Sequence, residues 1–405
     1  MSGFLYPNPH VAIACGGTGG HLFPGLAVAE ELMRQQCAVT LVISAKEVDQ
    51  EAVRPIKGME ILTLPAVGLT RDSLFAFLSG LWRSYRAAKT SFQQRPPRAA
   101  LAMGGFTGAG PILAARQLGA ETFLHESNTI PGRANRWLSR MVRQAFVGFP
   151  AAARRLHCRS TTFTGTPVRA QIHPRDTGAC RAAFGLDPLR PVVLVTGGSQ
   201  GAKALNNLVL DYLPQFAKTH AQWQWLHLTG PADCEEVKRA YESLKLDAVV
   251  RAFCSEMELA LGAASAVISR AGASSLAELA AMRLPAVLVP YPAATDNHQF
   301  YNALAFAEAG AARLLPENNA KARDLEVRLA DLVETSESRQ SMQQALAQWH
   351  APEAAQRIAG AILSTLGLGV PQVSGLDRAQ TKTSGSNNAR GEQLLRDALA
   401  SRNHA

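Results

Sequence analysis

Four glycine-rich loops, each directly after an apolar run, hold most of the residues that could do chemistry. They are GGTGGH (16–21), MGGFTGAG (103–110), TGGSQGAK (196–203) and SRAGASSLAE (269–278). Glycine lets a backbone turn sharply and approach a ligand closely. Where such a turn opens a helix, its free N–H groups and dipole favour a phosphate. One loop of this kind is as readily a plain strand-to-helix turn; four in one chain point to an anionic ligand held between them. None continues as GxGxxG with an acid about twenty residues on, which argues against a dinucleotide.

The stretch 269–278 is the most informative. Ala273, Ser274 and Ser275 are small residues at a helix start, where amides and hydroxyls can face a diphosphate. Glu278 shares a helix face with Ser274 and Ser275, so its carboxylate could accept from both ribose hydroxyls. It could equally be an acid that stabilises the helix dipole. His21 closes the first loop, where a histidine serves as a general base at neutral pH or simply caps a helix. Glu126, in HESN (125–128), ends another apolar run and is the second candidate base; a buried, paired acid is the alternative. In 290–303, Asp296, Asn297, His298 and Gln299 suit a hydroxyl-rich sugar, or form an ordinary polar loop.

The elements that must position these residues repeat one pattern. HVAIAC (10–15), AVTLVIS (38–44), RAALAMGG (98–105) and ETFLHES (121–127) read as strands, with a helix over 25–36. The pattern restarts with RPVVLVTGG (190–198), a helix over 201–218, and strands in WQWLHLTG (223–230), DAVVRAF (247–253), SAVISR (265–270) and PAVLVPY (285–291). Strands alternating with helices imply α/β architecture with parallel sheets, and ligands in such sheets bind at the carboxyl ends of the strands. Glycine and proline in TGTPVR (164–169) mark the boundary. The expected fold is two Rossmann-like, doubly wound domains facing a central cleft, over 1–167 and 168–345. A final helix is expected over 346–366, and a disordered polar tail over 367–405.

The chain has 405 residues, about right for two domains and a tail. No apolar run reaches the ~20 residues that span a bilayer, and the start MSGFLYPNPH lacks the basic and apolar regions of a secretory signal. A cytoplasmic protein is expected. The six cysteines form no CxxC pair and no zinc spacing with histidine, so free thiols are expected. Residues 1–170 carry 19 Lys/Arg against 9 Asp/Glu, while the remainder is near neutral. A basic first half suits an anionic surface. With no zinc finger, RNP-type motif or basic helix run, nucleic acid is not expected and anionic lipid is preferred. The segment 74–89 supplies Leu74, Phe75, Phe77, Leu78 and Trp82 beside Arg83 and Arg86, bulk and cations that suit shallow insertion into such an interface. A core helix with a basic outer edge is the other reading.

Taken together, GGTGGHLFPGLAVAEEL, HESNTIPGRANRWL, GTPVR, GGSQGAKALN, AGASSLAELAAMRLPAVLVPYP and TDNHQFYNA resemble, in order and spacing over about residues 8–366, the MurG family. These are the undecaprenyl-diphospho-muramoylpentapeptide β-N-acetylglucosaminyltransferases of glycosyltransferase family 28. The resemblance implies a GT-B fold whose last helix returns to the first domain. It implies UDP-N-acetylglucosamine (UDP-GlcNAc) as donor, lipid I as acceptor and lipid II as product, made with inversion on the inner face of the plasma membrane. It also implies roles for single residues: Thr18, Gly19 and Gly20 near the diphosphates, Asn128, Arg169 and Ser199 as donor contacts, and Cys254 beside uracil. The run Ala273, Ser274, Ser275, Leu276, Ala277 and Glu278 matches the diphosphate and ribose site, and Gln299 a sugar contact. Two positions depart: GGFTG (104–108) stands where GGYxS is frequent, and Lys203 where arginine is. With no paired carboxylates at the cleft, no metal and no cofactor is expected. Other cell-wall synthesis proteins are further candidate partners. Another GT-B enzyme using a UDP-sugar (a glycolipid synthase or an epimerase) and a non-catalytic nucleotide-binding membrane protein are the alternatives.

Overall fold

A computed structural model describes residues 8–54, 58–65, 74–198, 201–319 and 322–368. Ser199 and the tail from 369 onward lie outside these residues, as do the side chains of Leu74, Phe75 and Phe77. The first domain runs β1 (His10–Ala14), α1 (Gly19–Arg34), β2 (Ala38–Ser44), α2 (Glu47–Val53) and β3 (Glu60–Leu64). It continues with α3 (Leu74–Gln94), β4 (Ala99–Ala102), α4 (Ala109–Gln117), β5 (Glu121–Glu126), α5 (Arg133–Leu138), β6 (Gln144–Val147) and β7 (Thr161–Phe163). The second opens with α6 (Thr177–Ala183), β8 (Val192–Thr196), α7 (Lys203–Thr219), β9 (Gln224–Leu228), α8 (Cys234–Ser243) and β10 (Ala248–Arg251). Then come α9 (Met257–Ala263), β11 (Ala266–Ser269), α10 (Ala273–Met282), β12 (Ala286–Leu288), α11 (His298–Glu308), β13 (Arg313–Leu314), α12 (Ala322–Glu334), α13 (Ser336–Trp349) and α14 (Ala354–Thr365).

Both sheets are parallel. The first has strand order β3-β2-β1-β4-β5-β6-β7, the second β10-β9-β8-β11-β12-β13. Their central strands are almost wholly buried and rich in Val, Ile, Leu and Ala, the composition of strands covered on both faces, with polar side chains such as Thr40 and His227 buried among them. In the first domain one apolar layer joins the sheet to α1, and a second joins it to α3 and α4. In the second domain α7 turns Leu205, Leu208, Val209, Tyr212, Leu213 and Phe216 inward at helical spacing.

Two differences from the sequence reading have physical causes. The first helix starts at Gly19 rather than residue 25, because the glycines of the loop are themselves its first turn. The stretch read as one final helix is two: 347–349 end α13, and α14 begins at Ala354. Pro352 lies in the break, where it supplies no N–H and drives Ala351 away from helical geometry. Helix α14 then packs on α1, adding Ala355, Ile358, Ala359, Ile362 and Leu363 to the first domain's core.

The chain therefore passes between the domains twice, at 164–169 and at 350–353. The passages touch: a side chain on Gly165, which holds φ +78°, would lie 2.2 Å from the Ala351 Cβ. Nearby, Phe149 of the first domain packs against Phe306 and Trp349 of the second, with ring centroids 6.1 and 5.3 Å away.

Candidate active site

The helices that leave the carboxyl ends of β1 and β11, α1 and α10, meet between the domains, and the first and fourth glycine loops, which open them, line the gap there. In the first loop the peptide groups are held one by one. Gly17, at φ +112°, donates its N–H to Asp49 Oδ2 at 2.7 Å, and its carbonyl accepts from Lys46 Nζ at 2.9 Å. The Gly16 carbonyl accepts from Thr107 Oγ1 of the second loop at 2.6 Å. Thr18 is the N-cap of α1 with no side-chain cap bond, so Gly19 and Gly20 begin the helix with N–H groups that have no intrahelical acceptor.

His21 lies in the first turn of α1, its Nδ1 3.3 Å from Thr18 Oγ1. Its ring lies so close over the second loop that a Cβ on Gly104 would come within 2.8 Å of Nε2, which is why that position is glycine, at φ +119°. Desolvation pushes the His21 pKa down to about 4; the Asp49 charge opposes this and His298 reinforces it. The imidazole is therefore neutral at pH 7, the form a base requires.

Glu126, the second candidate base, lies at the end of β5. It is buried, and its two oxygens accept four hydrogen bonds, from Asn128 N, Asn128 Nδ2, Gly132 N and Asn135 Nδ2. With both oxygens occupied it acts as a clamp on the 127–132 loop. The clamp fixes Asn128, whose Oδ1 accepts from Asn302 Nδ2 at 3.0 Å. Asn302 is fully buried between the domains; its Oδ1 accepts from Thr129 N and Oγ1, and its Nδ2 also donates to the Ala271 carbonyl.

Across the gap, α10 begins at Ala273 after Gly272, and no side chain caps it. Ser274 and Ser275 are half-buried, and their hydroxyls have no partner among the described residues. Ala273 and Leu276 are buried, Leu276 completely, so the Leu276 side chain is core and does not reach the gap. Ala277 is half-buried on the next turn. Glu278 is nearly buried and pairs with Arg169 at 3.4 Å. Burial raises the Glu278 pKa, and the Arg169 guanidinium opposes that rise. Arg169 in turn stacks on Phe23 of α1, its Cζ 4.2 Å from the ring centroid. It joins the two helix starts.

Gln299 Oε1 accepts from Ala271 N and Tyr291 N, which leaves only its amide nitrogen to donate to a ligand. Cys254 follows β10 with its thiol buried and its pKa raised by that burial, so only backbone is offered there. Asp296 pairs with Arg136 at 2.6 Å and with Arg133 at 3.8 Å, across the mouth of the gap. That pairing replaces the sugar contact suggested for it. On α3, away from the gap, Leu78 and Trp82 are 52% and 58% exposed, beside exposed Arg83 and Arg86.

The sequence reading missed Asp49, Phe23 and Asn302. Nothing local marks the bond of Asp49 to a loop 32 residues away. Asn302 could have been found: it sits one turn after Gln299 on the same helix face.

The chain matches the model of the glycosyltransferase family 28 N-terminal domain over residues 11–147, and that of the family 28 C-terminal domain over 192–358. A relative from Anaeromyxobacter dehalogenans is named a UDP-N-acetylglucosamine–N-acetylmuramyl-(pentapeptide) pyrophosphoryl-undecaprenol N-acetylglucosamine transferase. It is 36% identical over 355 residues, 86% of this chain and 90% of the relative. Among solved structures, MurG of Acinetobacter baumannii superposes with a TM-score of 0.66 at 27% identity, over 88% of this chain and 99% of that one. A UDP-N-acetylglucosamine 2-epimerase shares the fold alone, with a TM-score of 0.62 at 13% identity over 89% and 97% of the two chains.

Proposed function

The chain belongs to glycosyltransferase family 28, a GT-B fold of two parallel-sheet domains, and from that premise we propose how it moves N-acetylglucosamine from UDP-GlcNAc to the 4-hydroxyl of the MurNAc in lipid I. The observation that carries this reading is the pair of open helix starts facing each other across one gap: α1 with His21, and α10 with Ser274, Ser275 and Glu278, joined by Arg169.

The donor lies against α10. Its ribose hydroxyls donate to Glu278, whose charged form Arg169 favours against burial, and its diphosphate meets the N–H groups of Ala273, Ser274 and Ser275 and the hydroxyls of the two serines. Cys254 and Gln299 complete the donor contacts, Cys254 through its backbone and Gln299 through its amide nitrogen. The acceptor diphosphate lies against Thr18, Gly19 and Gly20. Neutral His21 takes the proton as the acceptor hydroxyl attacks the anomeric carbon from the face opposite UDP, which inverts that centre. The charge that grows on UDP is met by the α10 start and Arg169. Asn128, fixed by Glu126 and Asn302, stands at the sugar. Closure about 164–169 keeps water from the donor. In the division into 1–167, 168–345 and 346–366, the last segment ties the domains together.

No helix among the described residues is long and apolar enough to cross a membrane. Leu78, Trp82, Arg83 and Arg86 form the surface that meets the anionic inner leaflet, where the lipid acceptor is found. The test is transfer from radiolabelled UDP-GlcNAc to a short-chain lipid I analogue. Labelled disaccharide lipid with matching release of UDP is expected. Conversion of the donor to an epimer, or binding of UDP without transfer, overturns the reading.

A further inference from the structure

Asp49 has no task in this scheme, yet it is completely buried beneath the first glycine loop. A buried carboxylate is costly unless it is well bonded. Its Oδ2 accepts from Ser44 N at 3.2 Å, Ser44 Oγ at 2.5 Å and Gly17 N at 2.7 Å. Its Oδ1 is buried with no partner among the described residues. The bonds to Ser44 would follow from any acid that closes the end of β2. The bond to Gly17 does not, because Gly17 belongs to a separate loop in which nothing else takes its N–H.

The consequences run along the loop. With its N–H turned in to Asp49 and its carbonyl turned out to Lys46, Gly17 has no freedom left. Thr18 follows directly, and its carbonyl accepts from the N–H groups of both His21 and Leu22. The place of His21 is thus set by a short series of contacts that starts at Asp49. The same bond removes the Gly17 N–H from the gap, so the N–H groups left to face an anion are those of the α1 start.

We propose that Asp49 is a positioning residue for the transfer reaction: its carboxylate sets the peptide of Gly17, and through it the places of His21 and of the open N–H groups of α1. The inference deepens the function proposed above and rests on it. Asp49 faces His21 from α2, together with Lys46 beside it, His125 from β5 and His298 from α11. Of these only Asp49 is negative.

Steady-state kinetics of Asp49→Asn and Ser44→Ala in the full chain, with UDP-GlcNAc and the lipid I analogue between pH 4 and 8, test this. Asp49→Asn should lower kcat on the order of a hundredfold while donor KM stays within about twofold, because the donor is held by the other domain. The acid limb of its pH–rate profile should move to lower pH, because the charge that raises the His21 pKa is gone. Ser44→Ala removes one of three bonds and should give the same split at a smaller size. If kcat stays within about threefold of the parent in both variants, or falls with donor KM rising as much and the acid limb fixed, the proposal fails. If Asp49→Asn does not fold, Ser44→Ala decides by the same split. Parent enzyme without transfer activity overturns the function and this inference with it; an active parent with parent-like variants overturns this inference alone.

Discussion

Just before α1 the Gly17 N–H and the carbonyls of Gly17 and Gly16 are gripped from behind, by Asp49, Lys46 and Thr107, while the N–H groups of Gly19 and Gly20 stay open. At the start of α10 no side chain caps the helix, and the hydroxyls of Ser274 and Ser275 stay open. The first arrangement offers backbone N–H groups and one imidazole in a fixed frame. The second offers side chains, with a carboxylate and a guanidinium that pair with each other. The difference matches what each side has to hold. A lipid diphosphate needs only phosphate contacts, whereas a nucleotide sugar presents a ribose and a sugar that must be told apart from others. Charge divides in the same way, with the excess of Lys/Arg carried by the first half.

The largest effect should come from the first side. His21→Ala should lose on the order of a hundredfold to ten-thousandfold in turnover and still bind UDP-GlcNAc by titration calorimetry. Near-normal turnover would remove His21 from the chemistry and end the contrast between the sides. The parent should show an acid limb near the His21 pKa of about 4, because the base is lost only when pH falls through that value. Its rate should not fall at the ordinary histidine range near pH 6.5; a limb there would mean that another group acts.

Next comes the second side. Glu278→Gln should weaken UDP binding on the order of tenfold to a hundredfold, the range for a lost bond to a charged acceptor. The acceptor KM should stay as in the parent, and a rise in it would show that the sides are not divided as argued. The smallest effect lies outside the gap. Arg83→Gln and Arg86→Gln should each reduce binding to anionic vesicles about fivefold, the contribution of one cation near such a surface. Transfer to the short-chain analogue should be unchanged; a loss there would place α3 in the active site.

Most of the frame was legible in the sequence, because β1, β2, β8 and β9 are mainly apolar and covered on both faces, and β1, β8 and β9 lead into glycine. The α10 site was legible for the same reason that it is open: its groups lie within one short stretch, from Ala273 to Glu278. The α1 site was not, because its frame is built from residues far apart in the chain. Asp49 and Thr107 are 32 and 91 positions from their partners. The place of Glu126 at the end of β5 fits a base as well as a clamp, and its four donors, which show the clamp, come from residues that only the fold brings together. The break between α13 and α14 hides in a stretch that is helical on both sides, with a single proline to mark it.

Two strands of chain joining the same pair of bodies act differently from one. A single tether would let the bodies swivel in any direction, but two that touch at Gly165 and Ala351 define a line, like a pair of pins on one door. Opening and shutting about that line stays cheap, while twisting across it strains both pins at once. A sugar entering the gap thus meets the same opposing wall at every turnover. Cutting the chain at 350 would do more than shorten it, since the first domain would lose the apolar cover that α14 supplies.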